Sequence, residues 1–160
     1  MIFLCVGTQF AFDRMVRAVD ESAGKGLFDE KIYAQIGETT YIPHNFEHVK
    51  FLDKESFDKW VAEATRVISH AGMGIISAAL DANKPLLVMP RQKKFGEVVN
   101  DHQVAIAKKY EQYGHLLVAL TETELPEKIV QLKTFAPKPR HNQASEVADR
   151  IKRFLNELSL

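Results

Sequence analysis

The feature that most restricts the fold is a recurring unit: a short apolar run without polar alternation, a glycine turn, then apolar residues at helical spacing. Ile2 to Val6 is continuously apolar, Gly7-Thr8-Gln9 punctuates it, and Phe12, Met15, Val16 and Val19 follow at the helical period. The order returns in Arg66 to Ser69, the glycine loop His70 to Gly74 and the helical stretch Ile75 to Ala82. Pro85 to Met89 is another fully apolar strand, and Asp101 can cap a helix carrying Val104, Ile106 and Ala107. Lys31 to Ile36, Val49 to Leu52 and Leu116 to Leu120 are read as further strands. Phe57 to Ala64 and Thr123 to Leu132 are read as helices. Strands lose alternation when both faces are buried, and helical crossovers cover both faces of a parallel sheet. The fold class is therefore α/β, a doubly wound parallel sheet. Its ligands are expected beyond the carboxyl ends of the strands.

Composition narrows the function classes. A chain of 160 residues is read as one domain, 1–160, long enough to bury a core without disulfide staples. Its single cysteine, Cys5, lies in an apolar run, which leaves no internal bridge and fits a cytoplasmic setting. Twenty-one basic and 21 acidic residues cancel, so nucleic acid is not an expected partner. No apolar run approaches the ~18 residues of a membrane span. Asp13 and Arg14 follow the first apolar run too soon for a signal peptide, so Met1 is expected to begin the mature domain. After the proline-bearing stretch Thr134 to His141, residues 142–158 read as a terminal amphipathic helix. Val147, Ile151, Phe154, Leu155 and Leu158 share its apolar face, which packs on the domain or on a partner.

Candidate chemistry lies in three loops. Gly7-Thr8-Gln9 and Ser69-His70-Ala71-Gly72-Met73-Gly74 each join a strand to a helix, where glycine permits close approach and free helix amides attract a diphosphate. These glycines serve equally well as tight turns. His70 adds a donor for a phosphate oxygen. The third loop, Pro90 to Gln103, ends in Asn100-Asp101-His102-Gln103, a set suited to sugar hydroxyls, although on spacing alone a helix cap accounts for it. Neither G-x-G-x-x-G nor G-x-x-x-x-G-K-[ST] occurs, which demotes a nicotinamide enzyme and a P-loop nucleotidase. His44 and His48 lack the H-E-x-x-H order and are read as loop or surface residues. Without an Asp-x-Asp pair, a leaving diphosphate would rely on helix dipole, backbone amides and side-chain donors, so no metal site is expected.

The run Met1-Ile2-Phe3-Leu4-Cys5-Val6-Gly7-Thr8-Gln9, with Phe12-Asp13-Arg14, resembles the opening of the glycosyltransferase family 28 C-terminal-domain proteins. Val67 to Gly74, Lys84 to Arg91 and Asn100 to Gln103 resemble that family's further motifs in the same order, so the likeness covers nearly the whole chain. Within that family the chain resembles the soluble donor-binding subunits of two-part glycosyltransferases in the dolichol pathway and in bacterial exopolysaccharide synthesis. The resemblance implies a Rossmann-like sheet equivalent to the C-terminal half of a GT-B glycosyltransferase, holding a UDP-sugar at its carboxyl edge. Gly7, Thr8 and Gln9 would then lie near the donor phosphates. His70, as catalytic group, with Gly72, Met73 and Gly74 would meet the diphosphate, and Asn100, Asp101, His102 and Gln103 would face the sugar. Many relatives carry a glutamate eight positions after the loop histidine, for the ribose hydroxyls. This chain has Ala78 there, with Ser77 the nearest polar substitute.

The implied reaction is metal-independent transfer of a hexose-type unit to a lipid-linked hydroxyl, with inversion and no cofactor beyond the UDP-sugar substrate. A membrane-anchored acceptor-binding subunit would recruit the chain to the cytoplasmic face. The competing readings are a non-catalytic nucleotide-sugar-binding or scaffolding domain, favoured by Ala78, and an epimerase-like enzyme.

Overall fold

A computed structural model describes residues 1–139. The terminal helix expected over 142–158 lies outside the described residues. Six strands, β1 (Ile2–Cys5), β2 (Ile32–Gln35), β3 (Glu47–Val49), β4 (Arg66–Ser69), β5 (Leu86–Val88) and β6 (Leu117–Val118), form one sheet in the order β3-β2-β1-β4-β5-β6. Every neighbouring pair is parallel. The helices are α1 (Asp13–Gly24), α2 (Lys54–Glu63), α3 (Met73–Asp81), α4 (His102–Gln112) and α5 (Leu125–Leu132). None of the described helices is long and apolar enough to cross a membrane.

The unalternating strands owe their composition to two cores. Ile2, Leu4 and Val6 point to one face, where α1 and α5 deliver Met15, Val16, Val19, Leu125 and Ile129. Phe3 and Cys5 point to the other, against Val61, Ile75, Ile76, Ala79 and Ala107 from α2, α3 and α4. The doubly wound sheet expected from the sequence is therefore present. Its strand order places a switch point between β1 and β4, where successive connections leave in opposite directions and open a crevice at the carboxyl edge.

Several boundaries differ from the sequence reading. The third strand was expected at Val49 to Leu52 but ends at Val49. Past it, the Gly37 amide donates to the Lys50 carbonyl (2.8 Å) and the Leu52 amide to the Gln35 side chain (3.1 Å), so the chain turns out of the ladder. Asp53 then caps α2 by accepting the Ser56 amide (2.7 Å). The segment between β2 and β3 is anchored from α1: Asp20, 2% exposed, accepts the amides of His44 (3.1 Å) and Asn45 (2.8 Å) and the Tyr41 hydroxyl (2.8 Å). Burial alone would raise the Asp20 carboxyl, but these donors hold it below the usual carboxylate range.

Gly37 marks where the sheet edge presses on the first loop. Its φ is +55°, and a Cβ there would overlap the Gly7 carbonyl oxygen. Gly37→Ala is expected to cost about 2 kcal/mol, from the left-handed backbone and the displaced carbonyl. Denaturant unfolding tests this, and a loss within experimental error would show that the contact is not rigid.

Candidate functional site

Pairing of β1 with β4 sets Cys5 level with Ser69, so the loops that leave the two strands emerge side by side. The Ser69 hydroxyl donates to the Cys5 carbonyl (2.5 Å). His70 Nδ1 lies 3.2 Å from Ser69 Oγ and 3.5 Å from the Cys5 oxygen. With the serine proton spent on the carbonyl, both neighbours of Nδ1 are acceptors. The neutral ring therefore carries its proton on Nδ1 and keeps a lone pair on Nε2. Burial and the nearby Arg91 guanidinium push His70 down to about 4, outweighing the opposing pull of the Cys5 carbonyl. The imidazole is neutral at pH 7.

The glycines of these loops have different reasons to be glycine. A Cβ on Gly7 would lie 2.9 Å from His70 Cε1, and Gly7 has φ +82°. A Cβ on Gly72 would overlap His70 Nε2. Both make room for the ring. Gly74 differs: nothing lies within 4 Å of a Cβ built there, and its φ is not positive. It sits in the first turn of α3, a turn with no acidic residue at the start of a helix without a side-chain cap. The positive end of that helix thus faces open space at Gly74.

Two clefts meet here. One, of about 480 Å³, is lined by Gly7, Thr8, Gln9, His70, Gly72, Gly74, Arg91, His102 and Gln103, with Phe10, Val98 and Val99. The other, of about 510 Å³, shares Gly7, Thr8, His70 and Gly74 and is closed by Leu52, Phe57, Asp58 and Ala78. Each is in the range of small-molecule sites. A larger concavity of about 740 Å³ lies elsewhere, between α1 and Phe95 to Glu97. Its central Arg14 is already bonded to Glu97 (2.7 Å) and Glu122 (3.3 Å), so the smaller, less satisfied clefts are the better candidates.

Of the residues singled out in the sequence, Met73, Ser77, Asn100 and Asp101 do not line either cleft. Asp101 stands at the N-cap of α4, yet its carboxylate accepts the Lys93 amide (2.8 Å) and makes no cap bond. Asn100 accepts the His102 amide (3.2 Å) and contacts His102 Nδ1. These side chains order the 90–103 loop, which also contains a 3₁₀ turn at Lys93–Phe95. Gln103 reaches the cleft, but its Oε1 accepts the Arg91 amide (3.1 Å). Sequence reasoning missed Arg91 and the wall of Leu52, Asp53, Phe57 and Asp58. A lone arginine directly after the apolar run ending at Pro90 was the available signal for the first. The second had none, because its residues come from an element read as strand and helix interior. Among the described residues, no three His, Cys, Asp or Glu side chains stand together to hold a metal ion.

The model of the family described as Glycosyltransferase family 28 C-terminal domain matches residues 1–158. The human protein named UDP-N-acetylglucosamine transferase subunit ALG13 is 35% identical over 124 residues, covering 72% of this chain and 10% of that protein. The chain spans about a tenth of the length of the curated relatives it matches. An NMR solution structure of ALG13 superposes with TM-score 0.59 at 22% identity, covering 90% of this chain and 91% of that one. Os79 from O. sativa, solved in complex with U2F and trichothecene, gives TM-score 0.61 at 16% identity over 83% of this chain and 32% of that one. At such identities the likeness concerns the fold.

The His70 environment predicts a pH signature. The folded ring takes its proton near pH 4, whereas the unfolded chain takes it near 6.5. Between those values the unfolded state binds more protons, so His70's contribution to stability is intact above pH 6.5 and lost as pH falls toward 4. Ring resonances followed by NMR should show a midpoint near 4, and His70→Gln should flatten this part of the stability curve. A ring midpoint near 6.5 would contradict the buried neutral imidazole.

Proposed function

Because the chain belongs to the glycosyltransferase family 28 C-terminal-domain family, we propose that it is the donor-binding and catalytic subunit of a two-part glycosyltransferase. It transfers a hexose-type sugar from a uridine diphosphate sugar to the hydroxyl of a lipid-linked acceptor. The observation that carries this reading is Gly74. Glycine costs about 0.5–1 kcal/mol relative to alanine in the middle of a helix and less in the first turn, and neither its backbone nor its neighbours call for it here. The cost makes sense if a ligand fills the empty space at the positive end of α3.

The two clefts suit a ligand with a diphosphate in the middle. The diphosphate lies at Gly74 and Gly7, against the amides of the first turn of α3. The nucleoside extends toward Leu52, Phe57 and Ala78, beside the Lys54–Asp58 ion pair, whose carboxylate keeps its second oxygen for hydroxyls. The sugar extends toward His102 and Gln103. In one displacement the acceptor oxygen bonds to the anomeric carbon as the bond from that carbon to the diphosphate breaks. The electron pair stays on the nucleotide oxygen, and the helix end and loop amides stabilise it without a metal. The hydroxyl proton passes to a base on the acceptor side. Negative charge beside His70 draws a proton onto Nε2 and converts that nitrogen from acceptor to donor. The acceptor half belongs to a membrane-anchored partner that holds the chain at the cytoplasmic face; the designation of ALG13 as a transferase subunit supports the need for a partner.

Gly74→Ala separates fold from function: it should leave the free chain as stable or up to about 0.5 kcal/mol more stable through helix propensity, while weakening UDP binding measured by calorimetry. Unchanged UDP affinity would remove the main support. In the complex reconstituted with its partner, His70→Ala should lower turnover about 10²-fold, the range for loss of one charge-stabilising donor. Binding without any sugar transfer by the reconstituted wild type would favour the non-catalytic scaffold instead.

A further inference from the structure

Arg91 is 3% exposed, yet among the described residues it forms no ion pair with a carboxylate, and its Nε has no hydrogen-bond partner. Arg14, also poorly exposed, is the contrast: Glu97 grips it through both carboxylate oxygens (2.7 and 3.0 Å) and Glu122 adds a third contact. One arginine is neutralised and the other is left charged. Nη2 of Arg91 donates to the Val6 carbonyl (2.7 Å) and to the Phe10 carbonyl (2.6 Å), the two ends of the first glycine loop. The Phe12 ring lies 4.8 Å from its guanidinium carbon, and its own amide is held by Gln103. It thus ties the first loop to the 90–103 loop while lining the cleft at Gly7, His70 and Gly74. Glu97, in contact with Arg14, acts on Arg91 only through space, and a buried charge without a counter-ion in contact is strongly unfavourable unless an opposite charge arrives.

We propose that Arg91 is the positioning residue of this site, clamping the 7–10 loop and supplying the buried counter-charge for the diphosphate of the incoming donor. The inference rests on the diphosphate reading of the cleft given above. Burial lowers Arg91 only to about 10, so the charge is present at pH 7. The same charge accounts in part for the neutral state of His70.

Calorimetric titration of the full chain with UDP and with uridine tests both levels. If wild type binds UDP no better than uridine, the diphosphate reading itself fails. If wild type prefers UDP, Arg91→Gln, which keeps an amide donor for the carbonyls and loses the charge, should reduce UDP affinity at least tenfold and change uridine affinity less than threefold. Arg91→Lys should restore most of the UDP preference. The His70 ring midpoint should rise in Arg91→Gln and stay near that of wild type in Arg91→Lys, a change that a purely structural role would not produce. Retention of the UDP preference in Arg91→Gln, or equal losses for UDP and uridine in both variants, would overturn the assignment. Should Arg91→Gln fail to fold, the wild-type Arg91 Nε–H resonance decides: it should shift with UDP and not with uridine, and no difference between the ligands overturns the proposal.

Discussion

Parallel pairing of β1 with β4 is the constraint on which the site depends. The register that sets Cys5 beside Ser69 brings two strand ends level at the switch point, and neither loop alone could then build what lies above them. Ser69 bonds across the pair to the Cys5 carbonyl, and His70 takes its Nδ1 partners from both strands. The ring in turn fills the space that Gly7 and Gly72 leave empty. Slipping the register would break the serine bond, the imidazole seat and the loop junction together, which couples the integrity of the site to the centre of the sheet.

Charge at this junction is arranged by exclusion. Acidic side chains nearby are occupied: Glu97 and Glu122 by Arg14, Asp101 by the Lys93 amide, Asp53 by the Ser56 amide and Asp58 by Lys54. What remains facing the glycine loops is a helix N-terminus without a cap, a neutral imidazole and an arginine bonded only to carbonyls and an aromatic face. Such a set attracts anions through fixed dipoles and one buried positive charge. The loops carrying these groups are cross-linked by side chain to backbone bonds before any ligand arrives, so little ordering remains to be done on binding.

Much of the architecture was legible because burial on both faces writes itself into unalternating runs such as those containing Ile2, Val67 and Leu87. The third strand was misjudged because Phe51 and Leu52 are as apolar as a strand but lie past its end, where the Gln35 side chain replaces a backbone partner. In the site, Gly7, His70 and Gly74 could be picked out because strand, glycine and helix are contiguous in sequence. The roles of Asn100 and Asp101 could not, since whether a polar side chain faces a cleft or a neighbouring amide depends on where Lys93 folds back. Arg91 was equally hidden: its partners Val6 and Phe10 are more than 80 positions away along the chain.

The three motif glycines show why a glycine loop is weak evidence until its neighbours are known. At Gly7 and Gly72 the missing side chain is explained by the imidazole, so these positions would be glycine even if no ligand ever bound. Only at Gly74 is space left over. A helix that gives up propensity there, omits a cap at its start and excludes acids from its first turn makes three separate concessions at one point. Each weakens the unliganded fold, and an anion seated at the helix end offsets all three at once. What marks the helix end as a binding place is thus not glycine as such but a glycine that the fold itself does not require.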